Sequence, residues 1–429
     1  MEILTKRFDN VGETLQTAVL DNGLRVCVVP KKGFSTFFAC FGTYYGSVMR
    51  SFDLAGVRHD TPAGVAHYLE HKMFDMPDGD NALQSMTATG ADPNAFTSYD
   101  ETVYYFHCTE RFEENLRTLL RFVTTPYFTA ETVEKEQGII AQEIRMYDDE
   151  PDNAVYVDLM KLLYKSHPVR DDIAGTVESI AEIDAETLYA CHRAFYTPGN
   201  MCLCVAGDVD AARVCGIAEE ILGKEKGEVP RPVVYEEDEA PEKLYTERVM
   251  SVSAPQFAIG AAFRPTEGDV LRERIVARLA MRLLCGTSSP FYTRLYGEGV
   301  LNRNFSYGTD FPANTAQLTV SGESSDPRRV CDELLAEVDR ISAEGFDADA
   351  FERAKRASLG SRLRGFEDFD SVCLSGFEAE GRGYCIFDAP AVLASVTAEE
   401  CRAFLARVLT RERTVLSVVR PPRAQGETE

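Results

Sequence analysis

The pentapeptide HYLEH, residues 67–71, brings two imidazoles and a carboxylate within about one helical turn. His67 and His71 are four residues apart, so a helix projects both from one face, with Glu70 three residues from His67. A tetrahedral zinc site needs this from a single helix: two imidazole nitrogens reaching one ion. A glutamate beside such a pair can stay off the metal and serve as general base towards a water that the metal acidifies. A third protein ligand is then required, with the fourth position left open. Glu136 and Glu143 are the candidates, seven residues apart on one face of a helix-like stretch. Each feature alone is weak, because carboxylates at this spacing are common on solvated helices and HxxEH also arises by chance.

What ties them together is a repeat. Phe128-Thr129-Ala130-Glu131-Thr132-Val133-Glu134 opens a helical run to Met146, and Phe346-Asp347-Ala348-Asp349-Ala350-Phe351-Glu352 matches it at an offset of 218. Both begin with a hydroxyl or carboxylate suited to a helix N-cap. Both also follow an amphipathic helix, at residues 116–123 and 334–341. Further on, Ile183-Asp184-Ala185-Glu186 is matched by Val396-Thr397-Ala398-Glu399 at an offset of 213, and the strand-like stretch 200–205 by 413–418. Two matches at nearly one offset point to a duplication. At the offset of 218 the second copy has Ala354 and Ser361 in place of Glu136 and Glu143. It also lacks every histidine, since all 6 (residues 59, 67, 71, 107, 167 and 192) lie in the first copy. The joint loss links the carboxylates to the histidine pair.

The elements that must position these groups are of mixed type. Residues 15–29 read as two strands around the turn Asp21-Asn22-Gly23, residues 99–108 are β-rich, and long helices follow. The predicted fold is α+β: two homologous halves, each a mainly antiparallel sheet packed with helices. The charged stretch 223–247, with Pro230, Pro232 and Pro241, reads as a linker. The expected division is a zinc-binding half over 1–225, a linker over 226–246, and a half without metal ligands over 247–429.

Composition narrows the partners. At 429 residues the chain exceeds one ordinary core, and its formal net charge of −24 disfavours nucleic acid and anionic membranes. No stretch approaches the roughly 20 apolar residues of a membrane span, and the first residues carry no signal-like apolar run. The 12 cysteines are scattered, and Cys202 and Cys204 share one strand face as core thiols commonly do. This usage suits a reducing cytoplasm. His59, His107, His167 and His192 lack ligand-spaced partners and read as structural.

Three segments in order, GVAHYLEHKMF (64–74), NAFTSYDETVYYF (94–106) and EKEQGIIAQEI (134–144), resemble the pitrilysin/insulinase family of inverted-motif zinc peptidases. The likeness spans nearly the whole chain. It implies one zinc ion held by His67, His71 and Glu143, with Glu70 as general base and Glu136 supporting the site. It also implies that Asn94, Ala95 and Phe96 form an edge strand that pairs with an extended peptide substrate. One departure stands out. Active members supply an arginine and a tyrosine from the second half, but the matching stretch here has Tyr296 in place of the arginine and Arg303 in place of the tyrosine. The resemblance then implies a heterodimer, with a paralogous partner donating the missing pair, as in bacterial pairs and the mitochondrial processing peptidase. The expected activity is cleavage of unstructured peptides or leader segments inside a clamshell chamber. The rival expectation is a non-catalytic assembly subunit.

Overall fold

A computed structural model describes residues 2–237, 240–266 and 268–422. Asp238 and Glu239, within the expected linker, lie outside the described residues. The first large sheet has seven strands in the order Ile3–Phe8, Glu13–Val19, Arg25–Pro30, Met201–Gly207, Phe37–Thr43, Thr102–Cys108, Asp92–Thr97. Only Arg25–Pro30 and Met201–Gly207 run parallel; the other neighbours are antiparallel. The second has five strands in the order Tyr245–Val249, Val415–Arg420, Gln256–Phe263, Ala316–Glu323, Ser306–Asp310, again with one parallel pair, the first. Its order and directions repeat the last five strands of the first sheet. The expected α+β duplication is thus present strand by strand, and the hairpin around Asp21-Asn22-Gly23 pairs Val19 with Arg25.

The central strands read as unbroken apolar runs because helices cover both faces of the first sheet. Side chains alternate between two cores. Val26, Val28, Ala39, Phe41, Leu203 and Val205 enter one. Cys27, Val29, Phe38, Cys40, Cys202 and Cys204 enter the other.

The compact units interleave the sequence. One comprises the residues up to Ile144, Asp172–Val233 and Arg362–Asp388; the other comprises Arg145–Asp171, Val234–Ser361 and the residues from Ala389 onward. The 13-residue helix Pro151–Leu163 packs on the five-stranded sheet, against Gln256–Phe263 and Val415–Arg420. Its counterpart at the same repeat offset, the 13-residue helix Phe369–Gly381, packs on the equivalent strands Phe37–Thr43 and Met201–Gly207 of the first sheet. The halves have exchanged a helix. The chain crosses between the units once inside the expected linker 226–246, at Val233–Val234, and also at Ile144–Arg145, Asp171–Asp172, Ser361–Arg362 and Asp388–Ala389, so one boundary does not delimit them. Part of that linker is also structured, since Arg231–Pro232 pairs with Ser51–Leu54.

Candidate metal centre

HYLEH lies on the helix Val65–Lys72, entered through Gly64 at φ 95°. That conformation favours glycine, and a Cβ there would also meet the Ala174 carbonyl oxygen at 2.5 Å. Val65, Ala66, Tyr68 and Leu69 are buried, which turns His67 and His71 to the opposite, partly open face. The Tyr68 hydroxyl donates to the Val133 carbonyl and so fastens this helix to the helix Ala130–Asp148, which carries Glu136 and Glu143. That second helix is capped as its sequence predicts, by Thr129 Oγ1 accepting from the Thr132 amide at 3.2 Å.

Ligand atoms of His67, His71 and Glu143 all lie within 4.8 Å of one another. Glu143 approaches the Nε2 atoms of both rings, at 3.9 Å for His67 and 3.4 Å for His71. Glu136 stands on the far side of His71, with Oε1 3.0 Å from Nδ1. The carboxylate accepts the Nδ1 proton, which leaves the Nε2 lone pair facing Glu143. The donor set, two imidazole nitrogens and one carboxylate on a shared focus, is the set zinc takes in hydrolytic sites. Burial, with the adjacent His71, lowers the His67 pKa to about 3, so its ring is neutral, as a metal ligand must be. For His71 burial acts downwards, but the Glu136 hydrogen bond and the carboxylates of Glu70, Glu143 and Glu136 together raise its pKa.

Glu70 sits beside His71 and Glu143, and burial raises its pKa. Thr97 Oγ1 donates to Glu70 Oε2 at 2.9 Å, fixing one carboxylate oxygen. Thr97 is invisible to spacing arguments: it is one threonine at the end of a strand, and only the fold brings it to Glu70. Asn94, Ala95 and Phe96 lie on Asp92–Thr97, which pairs with Thr102–Cys108 on one side and is the last strand of its sheet.

The other predicted positions fall elsewhere. His192 donates from Nε2 to the Val123 carbonyl at 3.2 Å and stacks on Tyr196. His167 bonds Asn314 through Nε2, and His59 stacks on Phe52. Tyr296, in the last turn of the helix Pro290–Gly297, is 42% exposed and stacks on Tyr292. Arg303 is exposed in the turn before Ser306–Asp310.

Known proteins resemble this chain over most of its length. Residues 54–177 match the family described as Insulinase (Peptidase family M16), and residues 182–358 match Peptidase M16 inactive domain. The Bacillus subtilis (strain 168) protein named "Uncharacterized zinc protease YmfH" is 35% identical over 422 residues, covering 96% of this chain and 98% of its own. The crystal structure of an M16-like peptidase from Alicyclobacillus acidocaldarius superposes with a TM-score of 0.91 at 32% identity, over 98% of this chain and 99% of that one. Pitrilysin, at 15% identity and a TM-score of 0.78, shares the fold over 99% of this chain but only 47% of its own length. Sequence, fold and the ordered motifs agree, and the chain belongs to the insulinase family, peptidase family M16.

Proposed function

We propose that the chain is a zinc-dependent endopeptidase acting on unstructured peptides, and the catalytic subunit of a heterodimer. The observation that carries this reading is the convergence of His67, His71 and Glu143, with Glu70 held beside them by Thr97. His67, His71 and Glu143 would hold the zinc, which would supply Lewis acidity towards the scissile carbonyl and would bring the pKa of a water down to about 7. Glu70 takes the proton of that water on its carboxylate and returns it to the leaving amine. Glu136 holds the His71 ring in the tautomer that presents Nε2. The free edge of Asp92–Thr97 offers backbone donors and acceptors to an extended peptide, which then lies in register beside Glu70. The names of the curated relatives, zinc proteases, support the same chemistry.

The subunit assignment rests on Tyr296 and Arg303, which stand where arginine and tyrosine would grip the substrate and its developing oxyanion. Losing one such donor costs about 10²–10³ in kcat. Peptide hydrolysis should be measured for this chain alone, for a paralogue that carries the arginine and tyrosine but no HxxEH, and for their 1:1 mixture. The mixture should be active, and each chain alone poor. Full activity from the isolated chain, unchanged by the paralogue, would refute the heterodimer. A zinc-loaded mixture that cleaves nothing would leave the chain a non-catalytic assembly subunit.

A further inference from the structure

A second group of metal-ligating side chains lies in the first compact unit, in the core beneath the exchanged helix Phe369–Gly381. The parallel pairing of Arg25–Pro30 with Met201–Gly207 sets Cys27 opposite Cys204 and Arg25 opposite Cys202. Alternation along each strand puts Arg25, Cys27, Cys202 and Cys204 on one face. Ligand atoms of Cys27, Cys202 and Cys204 lie within 4.8 Å of one another, with 3.7 Å between the Cys202 and Cys204 sulfurs. Three thiolates around zinc, at Zn–S distances of about 2.3 Å, stand roughly 3.8 Å apart. One pair is already at that separation, and the third sulfur reaches it with a shift of under about 1 Å. None of the three is in a disulfide.

Charge distinguishes this cluster from an ordinary packing of small side chains. Arg25 Nε is buried without a hydrogen-bond partner, and its guanidinium lies 4.7 Å over the ring of Tyr44. Tyr44 is close enough to Cys202, Cys204, Arg25 and Glu380 for all four to act on its hydroxyl. A cavity lined by Cys27, Cys204, Cys373, Glu380, Tyr384 and Cys385 adjoins the sulfurs and offers an ion a way in. As thiols the cluster is neutral, and it leaves Arg25 Nε without an acceptor.

We propose that Cys27, Cys202 and Cys204 form a second metal site, for a thiophilic divalent ion of the zinc group, with Arg25 as its counter-charge. Binding one divalent ion releases three thiol protons and leaves a centre of charge −1, set between the Arg25 guanidinium on the same strand face and the Glu380 carboxylate that lines the cavity. A monovalent ion such as Cu(I) would leave −2 beside the Glu380 carboxylate, so the divalent ion is favoured. Hydrogen bonding among the thiols, in which Cys202 lowers Cys204 while Cys27 and Cys40 raise it, together with burial leaves all three well above the ordinary thiol range. The ion must therefore displace their protons, as it does at structural thiolate sites. The site lies outside the HxxEH centre and does not depend on peptidase activity.

The test is a cadmium titration of the reduced, chelator-stripped full chain, following the ultraviolet thiolate-to-cadmium charge-transfer band together with bound metal by equilibrium dialysis. Two ions per chain are expected, one of them giving the band at an intensity of three thiolates. Cys202→Ala and Cys204→Ala should each lose the band and one ion, His67→Ala should keep the band, and Arg25→Gln should weaken the banded site by about tenfold or more. One ion per chain with no band in the wild type would overturn the proposal whatever the variants do. So would a band that survives both cysteine variants, which would point instead to the half-exposed Cys331 and Cys385.

Discussion

The two sheets share five strands in one order, yet among the described residues only the first brings together the side chains His67, His71 and Glu143. In the first, the connection from Phe37–Thr43 to Asp92–Thr97 carries the eight-residue helix Val65–Lys72. In the second, the connection from Gln256–Phe263 to Ser306–Asp310 carries the 16-residue helix Val270–Cys285, of which 12 residues are buried. The more open positions of that helix, Arg278 and the half-buried Arg272 and Arg282, carry guanidiniums, which have no lone pair to offer a metal ion. The long helices differ in the same sense: Ala348–Gly365 has Ala354 and Ser361 where Ala130–Asp148 has Glu136 and Glu143. The shared fold is held by apolar strands covered on both faces, while the proposed chemistry rests on a handful of side chains whose absence from the second sheet leaves that fold intact.

The largest effects should come from the ligands and the base. His67→Ala or Glu143→Gln should lose most bound zinc, whereas Glu70→Gln should keep zinc and lose hydrolysis by about 10²–10⁴-fold. Metal analysis beside peptide kinetics separates the two cases, and full zinc in His67→Ala would undo the ligand assignment. Installing Ala354→Glu and Ser361→Glu in the second half should add no ion, for want of the histidine pair.

Glu136→Gln should weaken zinc affinity or rate by about 10–100-fold, the usual cost of losing the group that orients a ligand histidine. Unchanged affinity and kinetics would make Glu136 a surface residue. Thr97→Val should slow turnover by about tenfold with zinc retained, and Thr97→Ser should restore it, because only the hydroxyl reaches Glu70. Equal losses in both variants would assign Thr97 to packing.

A separate effect, on stability rather than on chemistry, concerns acid. Burial lowers the His192 pKa to about 4 from 6.5, so the unfolded chain takes up this proton first as pH falls. Stability from this group is present above pH 6.5 and is lost on the way down to pH 4, up to about 3 kcal/mol in all. In zinc-loaded protein, His192→Gln should flatten the fall in Tm between pH 6.5 and pH 4.5. A slope identical to the wild type would place the acid sensitivity elsewhere.

Much of this is legible in the chain. The repeat offset that carries Glu136 and Glu143 onto Ala354 and Ser361 pairs helices that the fold also pairs. Asp347, read as an N-cap, accepts from the Ala350 amide at 2.7 Å. His67 and His71 share a face because helical spacing requires it. What escapes is information that exists only between distant segments. The apolar stripe of Phe369–Gly381 announces that the helix is buried, but nothing in it names the sheet that will bury it. Thr97, likewise, acquires a role only when its strand closes against the motif helix. Cys202 and Cys204 can be placed on one strand face, but not beside Arg25 and Cys27, because strand neighbours so distant along the chain leave no local mark.

The helix exchange bears on the birth of the molecule. A ribosome releases Met201–Gly207, the last strand of the first sheet to be made, long before it reaches Phe369. The layer containing Phe38, Cys40, Cys202 and Cys204 therefore emerges with no lid. The nascent first sheet must wait, its apolar face uncovered, until the second half has been made. The five-stranded sheet waits for nothing, because its helix Pro151–Leu163 was synthesised before any of its strands. One duplicated plan thus yields a half that must be sheltered during synthesis and a half that can close as soon as its last strand appears.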